Sequence, residues 1–501
     1  MMWNLDILNP NKTALLNHDG VSISYGQLLK KVRDFGKAIA GDSSPKPLII
    51  CICTNTIPCI AGYIAFIENE YTVMMLQDNL SPEKYSEIFE HYRPEYIYTQ
   101  KSHNVAAVLD GIGNGKVCRK KVLEYMDYCL YRIDAYGRED VCTINDNLAL
   151  LLSTSGTTGS SKMVRISYKN IESNTLSIIE ALGVDEDDVA VTSLPCSYTY
   201  GLSVINTHIY VGATILVTDY KVIDKRFWDF FTSNGGTSFS AVAYTYRVLM
   251  RMGFNRWNIP TLRKMTQAGE RLNDTVYTYL TDMSEKRNIR FQPMYGQTEA
   301  TARIAVMPYG IAGSALREKT GSVGKVIPGG KISISDKSSD NSGRIIYYGD
   351  NVMMGYAYGR KCLAKDDESG RVLDTGDYGY VDEDGFLYIK GRKDRYIKYA
   401  GKRIELDELE CELEKEFRTE VDVNYSYVDG NFEIKMKEEC DGVEAYIHDR
   451  YGIGKNCINV VITCDILRKV NQNGKLCIKK VNDVGIEMQN LDIKRQKMDI
   501  E

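Results

Sequence analysis

Several features that would place a sequence in a specialised class are scarce here. The chain has 501 residues, with 62 Lys and Arg against 67 Asp and Glu. Its formal charge of −5 creates no global field that would attract nucleic acid or an anionic membrane. Histidine is rare, with five in the chain. The N-terminus lacks a basic patch followed by an apolar run, so we expect no signal peptide.

Long apolar runs and paired cysteine motifs are also missing. The most apolar stretch, residues 47–67, is interrupted by Asn55 and Pro58, and it predicts a buried strand followed by a helix instead of a membrane span. The 13 cysteines are irregularly spaced, and no CxxC pair stands opposite another as a zinc site would require. We therefore expect free thiols and a cytoplasmic protein.

What is present is an ordinary globular composition, with 44% apolar and 26% charged residues, in a chain long enough for two or three domains. Short β-branched runs alternate with helical patterns through the first three-quarters of the sequence. We predict strands at 48–52 and 71–76 around a helix at 57–69, and a similar unit with strands at 190–194 and 213–217. This alternation predicts an α/β fold with parallel sheets covered by helices on both faces.

The pattern changes from about Gly321, where short strands are separated by turns rich in Gly and Asp, as at 381–389. Such a pattern predicts a small β-barrel-like part or an antiparallel sheet. An amphipathic helix begins at 404–410, within a final segment that mixes strands and helices. We predict a large N-terminal domain over 1–393 and a small, mobile α+β C-terminal domain over 394–501.

The clearest chemical signal is the segment 154–162 (TSGTTGSSK), which follows a predicted strand and precedes a helix. Its glycines let backbone N–H groups converge on an anion, its hydroxyls add donors, and Lys162 adds a positive charge. A P-loop needs GxxxxGK[ST], but here two residues separate Gly159 from Lys162, and Met163 follows. The segment predicts a polyphosphate loop of another kind, with a plain Gly/Ser turn as the alternative.

This loop resembles the phosphate loop of the adenylate-forming superfamily, which includes acyl- and aryl-CoA synthetases, adenylation domains of nonribosomal peptide synthetases, and luciferases. Four further segments agree with the family in order and separation. They are 295–299 (YGQTE), 374–377 (DTGD), 391–394 (GRKD) and 473–475 (NGK). The resemblance covers nearly the whole chain, from about residue 15 to residue 485.

The resemblance implies a role for each matching residue, although each alone would be an ordinary surface or turn residue. Glu299 would coordinate Mg²⁺, Thr298 would contact the α-phosphate, and Tyr295 would stack on adenine. Asp377 would accept hydrogen bonds from the ribose hydroxyls, with Arg392 beside it. The nucleotide-binding residues implied are Thr154, Ser155, Gly156, Thr157, Thr158, Gly159, Lys162, Gly269, Glu270, Arg271, Tyr295, Gly296, Asp377 and Arg392.

The resemblance also implies two half-reactions at one site. In the first, Lys475 would reach between the substrate carboxylate and the α-phosphate. In the second, the C-terminal domain would rotate about the hinge residue Asp394, and Lys398 would replace Lys475 while a thiol attacks the adenylate. A carboxylate nucleophile needs no general base, which fits the scarcity of histidine.

The segment 194–201 (LPCSYTYG) resembles the acid-site motif of the family, with Tyr198 in place of the frequent His, while Ser161 and Met163 depart from the usual Pro and Gly around the loop lysine. The stretch 242–246 (VAYTY) contains no carboxylate to pair with an α-ammonium group, and a buried unpaired cation is costly. We therefore favour a small or moderately polar acid that is not an amino acid. The predicted substrate pocket contains Tyr198, Thr199, Ala243, Tyr244 and Met294.

The expected activity is ATP- and Mg²⁺-dependent conversion of a small carboxylic acid to an acyl-adenylate, with release of pyrophosphate and transfer to a thiol. Coenzyme A is the favoured acceptor. The phosphopantetheine of a separate acyl carrier protein, or an amine, is the alternative. A nucleotide-binding protein that has lost catalysis is a further alternative, against which Glu299, Asp377, Arg392 and Lys475 argue. We expect neither nucleic acid nor membrane insertion.

Overall fold

The structure is a computed structural model that describes residues 2–40, 46–103, 118–134, 142–153, 162–338, 340–392, 396–399, 402–426 and 431–463. Contacts within the chain divide it into two compact units. The first contains residues 1–332 and 347–373, and the second contains residues 333–346 and 374–501. The predicted domain boundary at residue 394 stays a prediction.

Strands and helices alternate through most of the first unit, as expected from the sequence. The strands are β1 Thr13–Asn17, β2 Ser22–Ser24, β3 Leu48–Cys53, β4 Thr72–Gln77, β5 Tyr96–Gln100, β6 Cys118–Tyr125, β7 Tyr128–Asp134, β8 Leu148–Ser153, β9 Met163–Ser167, β10 Val189–Val191, β11 Thr214–Val217, β12 Ser238–Ala241, β13 Lys264–Gln267, β14 Arg290–Tyr295, β15 Ala305–Val306, β16 Lys325–Val326, β17 Lys331–Ser335, β18 Gly343–Tyr348, β19 Gly355–Ala357, β20 Val372–Val381, β21 Leu387–Arg392, β22 Tyr396–Tyr399, β23 Lys402–Glu405, β24 Val421–Ser426, β25 Asn431–Met436 and β26 Ile458–Ile462. The α-helices are α1 Tyr25–Ile39, α2 Ile57–Glu68, α3 Pro82–Tyr92, α4 Tyr168–Leu182, α5 Thr199–Tyr210, α6 Lys225–Ser233, α7 Ala243–Arg251, α8 Asp274–Arg287, α9 Gly313–Glu318, α10 Leu406–Phe417 and α11 Val443–Tyr451.

Two large sheets make up the first unit. One has nine strands in the order β16-β15-β14-β13-β12-β10-β11-β1-β2, and the other has eight in the order β19-β9-β8-β4-β3-β5-β7-β6. The central pairs are parallel, whereas β15, β9 and β7 pair antiparallel toward the edges. Parallel central strands joined through helices confirm the predicted α/β class.

Strand β3 shows why this fold suits the sequence. All six of its residues are buried. Cys51 belongs to a core that includes α2, whereas Ile50 and Ile52 belong to a second core that includes α3. A strand covered on both faces has no polar alternation, which accounts for the apolar run that predicted it. The apolar stretch 47–67 thus forms β3 and α2, and no helix among the described residues is long and apolar enough to cross a membrane.

The second unit is built from smaller sheets, in which β20–β21, β22–β23 and β24–β25 pair antiparallel and β25–β26 pair in parallel. The strand order β17-β18-β20-β21 defines a four-stranded sheet in the region predicted as a small barrel or antiparallel sheet. Further along the chain, β22 and β23 form a hairpin, and β24, β25 and β26 form a three-stranded sheet. Apolar side chains of this last sheet form a core with α10 and α11, as expected for a small α+β domain.

Candidate active site

The segment that follows β14 carries Glu299 on a 3₁₀ helix, Thr298–Ala300. The chain turns back so tightly that a Cβ atom at Gly296 would lie 1.9 Å from the carbonyl oxygen of Ala302. Only glycine permits this approach of one backbone to another. The second residue of YGQTE is therefore required by the turn that presents Glu299.

Hydrogen bonds hold this turn in a strained conformation. Thr301 has a φ of 62°, which is unfavourable for a β-branched residue. Its hydroxyl donates to the carbonyl of Asn351 at 2.7 Å, and its own carbonyl accepts a hydrogen bond from the hydroxyl of Thr199. The side-chain amide of Asn351 donates to the carbonyls of Ala300 and Arg303, both at 2.9 Å. These contacts give the glutamate a rigid base, and they involve Thr199, a predicted pocket residue.

The carboxylate of Glu299 is half-buried and has one protein partner among the described residues. One oxygen, Oε1, accepts a hydrogen bond from the hydroxyl of Tyr356 at 2.9 Å. Within the described part of the chain it forms no ion pair. A half-buried carboxylate with one oxygen left for another ligand is the hard anionic donor that Mg²⁺ prefers. The geometry of Glu299 therefore fits the predicted metal.

Tyr356 connects Glu299 to the end of the predicted phosphate loop. Its ring lies beneath the ammonium group of Lys162, with 3.5 Å between Nζ and the ring centroid. The antiparallel pairing of β19 with β9 places Tyr356 opposite Val164, two residues after Lys162. A cation over an aromatic face is held in a defined position. Two predicted residues from separate motifs thus contact one tyrosine, which the sequence analysis missed.

Tyr198 and Met294 of the predicted acid pocket come together in the fold. Both are buried in one cluster with Val242, Ala268 and Ala302. Val242 follows β12, Ala268 follows β13, and Met294 is the next-to-last residue of β14. The cluster therefore lies at the carboxyl end of these parallel strands. Ligands bind at this edge in open α/β sheets.

The other pocket residues, Ala243 and Tyr244, begin helix α7. The carboxylate of Glu270 accepts a hydrogen bond from the backbone N–H of Tyr244 at 2.8 Å, as an anion at a helix N-terminus does. The side chain of Tyr244 is 40% exposed and Arg271 is exposed. Glu270 places a carboxylate beside the stretch 242–246, which contains none of its own, so amino acids belong in any substrate panel.

Asn55 holds the acid-site segment in place. Its side-chain amide donates to the carbonyls of Thr192 and Leu194, at 3.2 and 3.0 Å, and its Oδ1 accepts the N–H of Cys196 at 3.0 Å. These three bonds fix the loop that ends at Tyr198, the residue before α5. In the sequence, Asn55 was interpreted only as an interruption of the apolar run 47–67. A polar residue in such a run is a signal that could have suggested this role.

Cys196 also belongs to a buried group of thiols. The Sγ atoms of Cys51 and Cys196 each lie 3.8 Å from the Sγ of Cys59. Cys53 lies in the same group, with its Sγ 3.8 Å from the Sδ of Met75. Cys51, Cys53, Cys59 and Cys196 are all free thiols.

In the second unit, the two predicted ribose residues occupy paired positions. Asp377 on β20 is the register partner of Arg392 on β21. Asp377 is buried, and its backbone N–H donates to Thr375 Oγ1 at 3.1 Å across Gly376, which has a φ of 73°. The DTGD segment thus adjoins Gly391 and Arg392, the first two residues of GRKD, in one hairpin. Lys398 lies on β22, opposite Arg403 in the β22–β23 hairpin.

Some predicted residues lie outside the described part of the chain. They are Thr154, Ser155, Gly156, Thr157, Thr158 and Gly159 of the phosphate loop, the hinge residue Asp394, and Lys475. Their roles stay predictions.

Comparison with known proteins defines the class of this chain. The model of the family described as AMP-binding enzyme matches residues 8–357, which is more than half of the chain. The chain therefore belongs to the AMP-binding enzyme family, and the resemblance to adenylate-forming enzymes is confirmed.

Individual relatives are similar to this chain at low sequence identity. The 4-hydroxybutyrate–CoA ligase 1 of Metallosphaera sedula is 25% identical over 426 residues, which cover 81% of this chain and 71% of the relative. The 2-succinylbenzoate–CoA ligase of Bacillus pumilus is 29% identical over 417 residues, covering 81% and 80%. The solved structure of o-succinylbenzoate coenzyme A synthetase from Bacillus subtilis with AMP superposes with a TM-score of 0.75 at 21% identity, covering 96% of this chain and 98% of that one. This likeness confirms the fold.

Proposed function

We propose that this protein is an AMP-forming acid–CoA ligase. It uses ATP and Mg²⁺ to convert a small carboxylic acid to its acyl-adenylate and then transfers the acyl group to coenzyme A. The observation that carries the proposal is the contact of Lys162 and Glu299 with one tyrosine, in a chain of the AMP-binding enzyme family. The names of the relatives, both acid–CoA ligases, support the thiol acceptor.

The first half-reaction needs charge neutralisation and alignment. A carboxylate oxygen of the acid attacks the α-phosphorus, and the bond from that phosphorus to the pyrophosphate oxygen breaks. Both reactants are anions, so the barrier falls mainly through positioning and electrostatic stabilisation. Bound at Glu299, Mg²⁺ would neutralise phosphate oxygens. Lys162 and the loop 154–161 would hold the polyphosphate, and Thr298 would contact the α-phosphate.

The remaining predicted residues complete this assignment. Tyr295 would stack on adenine, while Asp377 and Arg392 would bind the ribose hydroxyls. Lys475 would bridge carboxylate and α-phosphate during adenylation. In the second half-reaction the thiol sulfur attacks the acyl carbonyl and AMP leaves, with Lys398 turned to the site by rotation about Asp394. One site then performs two reactions.

The proposal also covers the acyl acceptor and the cellular compartment. Coenzyme A is favoured over a separate carrier protein because the relatives are named as CoA ligases. A reducing cytoplasm is favoured because buried thiols such as Cys51 and Cys59 are kept reduced there.

Product analysis tests the proposed function. The enzyme is incubated with ATP, Mg²⁺, coenzyme A and a panel of acids that includes amino acids, and the products are identified by mass spectrometry. Acyl-CoA together with AMP is the expected result. Formation of ADP, or acyl transfer only to a carrier protein, would contradict it.

The two half-reactions are then measured separately in Lys475→Ala. Adenylation should be lost, whereas thioester formation from a supplied adenylate should persist. Equal loss in both half-reactions would contradict domain alternation.

A further inference from the structure

A cavity with polar and apolar lining residues lies in the interior of the first unit, next to the predicted acid pocket. We call it the deep cavity, and its polar lining includes Tyr200, Ser203, His208, Ser240, Thr266 and Arg303. The hydroxyl of Tyr200 is 2.7 Å from Thr266 Oγ1, which is 2.8 Å from Ser240 Oγ. Apolar side chains complete the lining (Ile178, Leu182, Val184 and Val204), so the hydroxyls and the guanidinium are the groups that a polar part of a ligand could contact.

Arg303 is the unusual residue of the deep cavity. It is 2% exposed, and its Nη2 donates to Ser203 Oγ at 3.2 Å. The guanidinium lies 4.6 Å from the ring centroid of Tyr200, while Nε has no acceptor. No carboxylate pairs with Arg303 within the described residues, and burial lowers the pKa of this guanidinium. A buried cation is thus left without an anion.

Two other buried arginines of the first unit each have a carboxylate partner. Arg165 is fully buried and donates to the carboxylate of Glu368 at 2.5 Å. Arg360 forms a two-pronged pair with Glu95, at 2.7 and 3.0 Å. Burying a charge is unfavourable unless a partner compensates it. Arg303 is the exception among these three, which indicates that its anion comes from a ligand.

The remaining charges of the deep cavity do not supply that anion. Lys264 forms a buried ion pair with Asp188, so each neutralises the other. Burial lowers the pKa of His208, whose imidazole is therefore neutral at physiological pH. Among the described cavity-lining side chains, the positive charge of Arg303 is the one left unbalanced.

Arg303 also lies directly behind the acid pocket. It follows Ala302, which packs in one cluster with Tyr198 and Met294. The ring of Tyr200 contacts Arg303 on one side and Tyr198 on the other, with 6.2 Å between the two tyrosine centroids. A substrate whose reactive carboxylate points toward the nucleotide would place its far end toward Arg303.

We infer that Arg303 binds a second carboxylate of the substrate, so that the acid activated by this enzyme is a small dicarboxylic acid. The inference rests on the proposed function and adds the chemical class of the acid. A planar guanidinium matches a carboxylate with two parallel hydrogen bonds. An α-amino acid would bring an ammonium group, which Arg303 repels.

Acid-dependent pyrophosphate release tests this assignment, using pairs matched in length, such as succinate with butyrate and glutarate with pentanoate. The wild type should use the diacid of a pair with the higher kcat/KM. In Arg303→Met the diacid kcat/KM should fall about 100-fold, as expected when one partner of a buried charge pair is removed, while the monoacid value should hold or rise. Arg317→Met, which removes an exposed arginine, is the matched control.

A second variant distinguishes the loss of a ligand contact from simple misfolding. Ser203→Asp places a carboxylate beside Arg303 and supplies the missing anion internally. We expect this variant to have a higher melting temperature than the wild type and to lose diacid turnover. Under a purely structural role of Arg303, Arg303→Met would lower turnover of all acids by the same factor, and that outcome would overturn the inference.

The failures of the two proposals can be told apart. Pyrophosphate release with monoacids but not with diacids overturns the diacid assignment and leaves the ligase function intact. No acid-dependent pyrophosphate release with any acid overturns the proposed function, and with it the inference.

Discussion

Two interior regions of the first unit treat buried arginines in opposite ways. Around β9 and the segment that follows β19, Arg165 and Arg360 meet carboxylates and backbone carbonyls. Behind the acid pocket, Arg303 meets one hydroxyl and one aromatic ring. In the first arrangement each guanidinium has a carboxylate partner, whereas in the second the guanidinium has none among the described residues. Incomplete pairing therefore marks the region where binding is expected, because unpaired buried charge is otherwise unfavourable.

The largest expected effect lies in the region with complete pairing. Arg360→Met should lower the free energy of unfolding by about 3–5 kcal/mol, because it strands the carboxylate of Glu95 in the interior. Chemical denaturation measures this change. The double change Arg360→Met with Glu95→Leu should recover most of the loss. If Arg303→Met destabilised the protein as much as Arg360→Met does, the distinction between the two arginines would be lost.

A smaller effect is expected at Tyr356, an uncharged residue that contacts both Lys162 and Glu299 of the predicted nucleotide site. Tyr356→Phe keeps the ring beneath Lys162 but removes the hydrogen bond to Glu299. A hydrogen bond to a charged group contributes about 1.5–3 kcal/mol, so kcat should fall about 10- to 100-fold with a raised Mg²⁺ requirement. Steady-state kinetics over a Mg²⁺ series measures both.

Tyr358→Phe, at a 57% exposed position, is the control for Tyr356→Phe. It should leave both parameters unchanged. If Tyr356→Phe behaved in the same way as this control, Tyr356 would have no positioning role.

The smallest expected effect is the pH dependence of stability that arises from His208 of the deep cavity. Burial holds the pKa of His208 below its ordinary value of 6.5, so the unfolded chain takes up this proton first as the pH falls. The stabilisation from neutral His208 is complete above pH 6.5 and is lost as the pH decreases below that value. Asp188 and Asp185 oppose the shift, and Lys264 adds to it.

Melting temperatures across this range compare the wild type with His208→Gln. The variant should show the weaker decline on acidification. If the melting temperatures of both proteins fell equally on acidification, His208 would not determine how stability depends on pH.

The sequence predicted those parts of the molecule that depend on local patterns. The strand predicted at 48–52 forms as Leu48–Cys53, because a strand buried on both faces is a continuous apolar run. The residues of the phosphate loop up to Lys162 indicate anion binding by themselves, whereas the roles of Glu299 and Asp377 follow from the resemblance to the adenylate-forming superfamily. These local signals also predicted the α/β class.

The contacts that complete the site depend on distant parts of the chain. Tyr356 forms a hydrogen bond with Glu299 although 57 positions separate them in the sequence, and Arg303 forms one with Ser203 over 100 positions. Nothing in the sequence near Arg303 shows that it is buried or that it lacks a carboxylate. Whether a charge is paired is a property of packing, so only the three-dimensional structure could identify Arg303 as a specificity residue.

Isotope exchange between pyrophosphate and ATP tests the central claim most directly, because it reports formation of the adenylate alone. We predict exchange that requires both Mg²⁺ and a carboxylic acid, needs no coenzyme A, and is lost in Glu299→Gln while Glu318→Gln, an exposed control, retains it. Exchange that proceeds without the acid, or that survives in Glu299→Gln, would contradict the account.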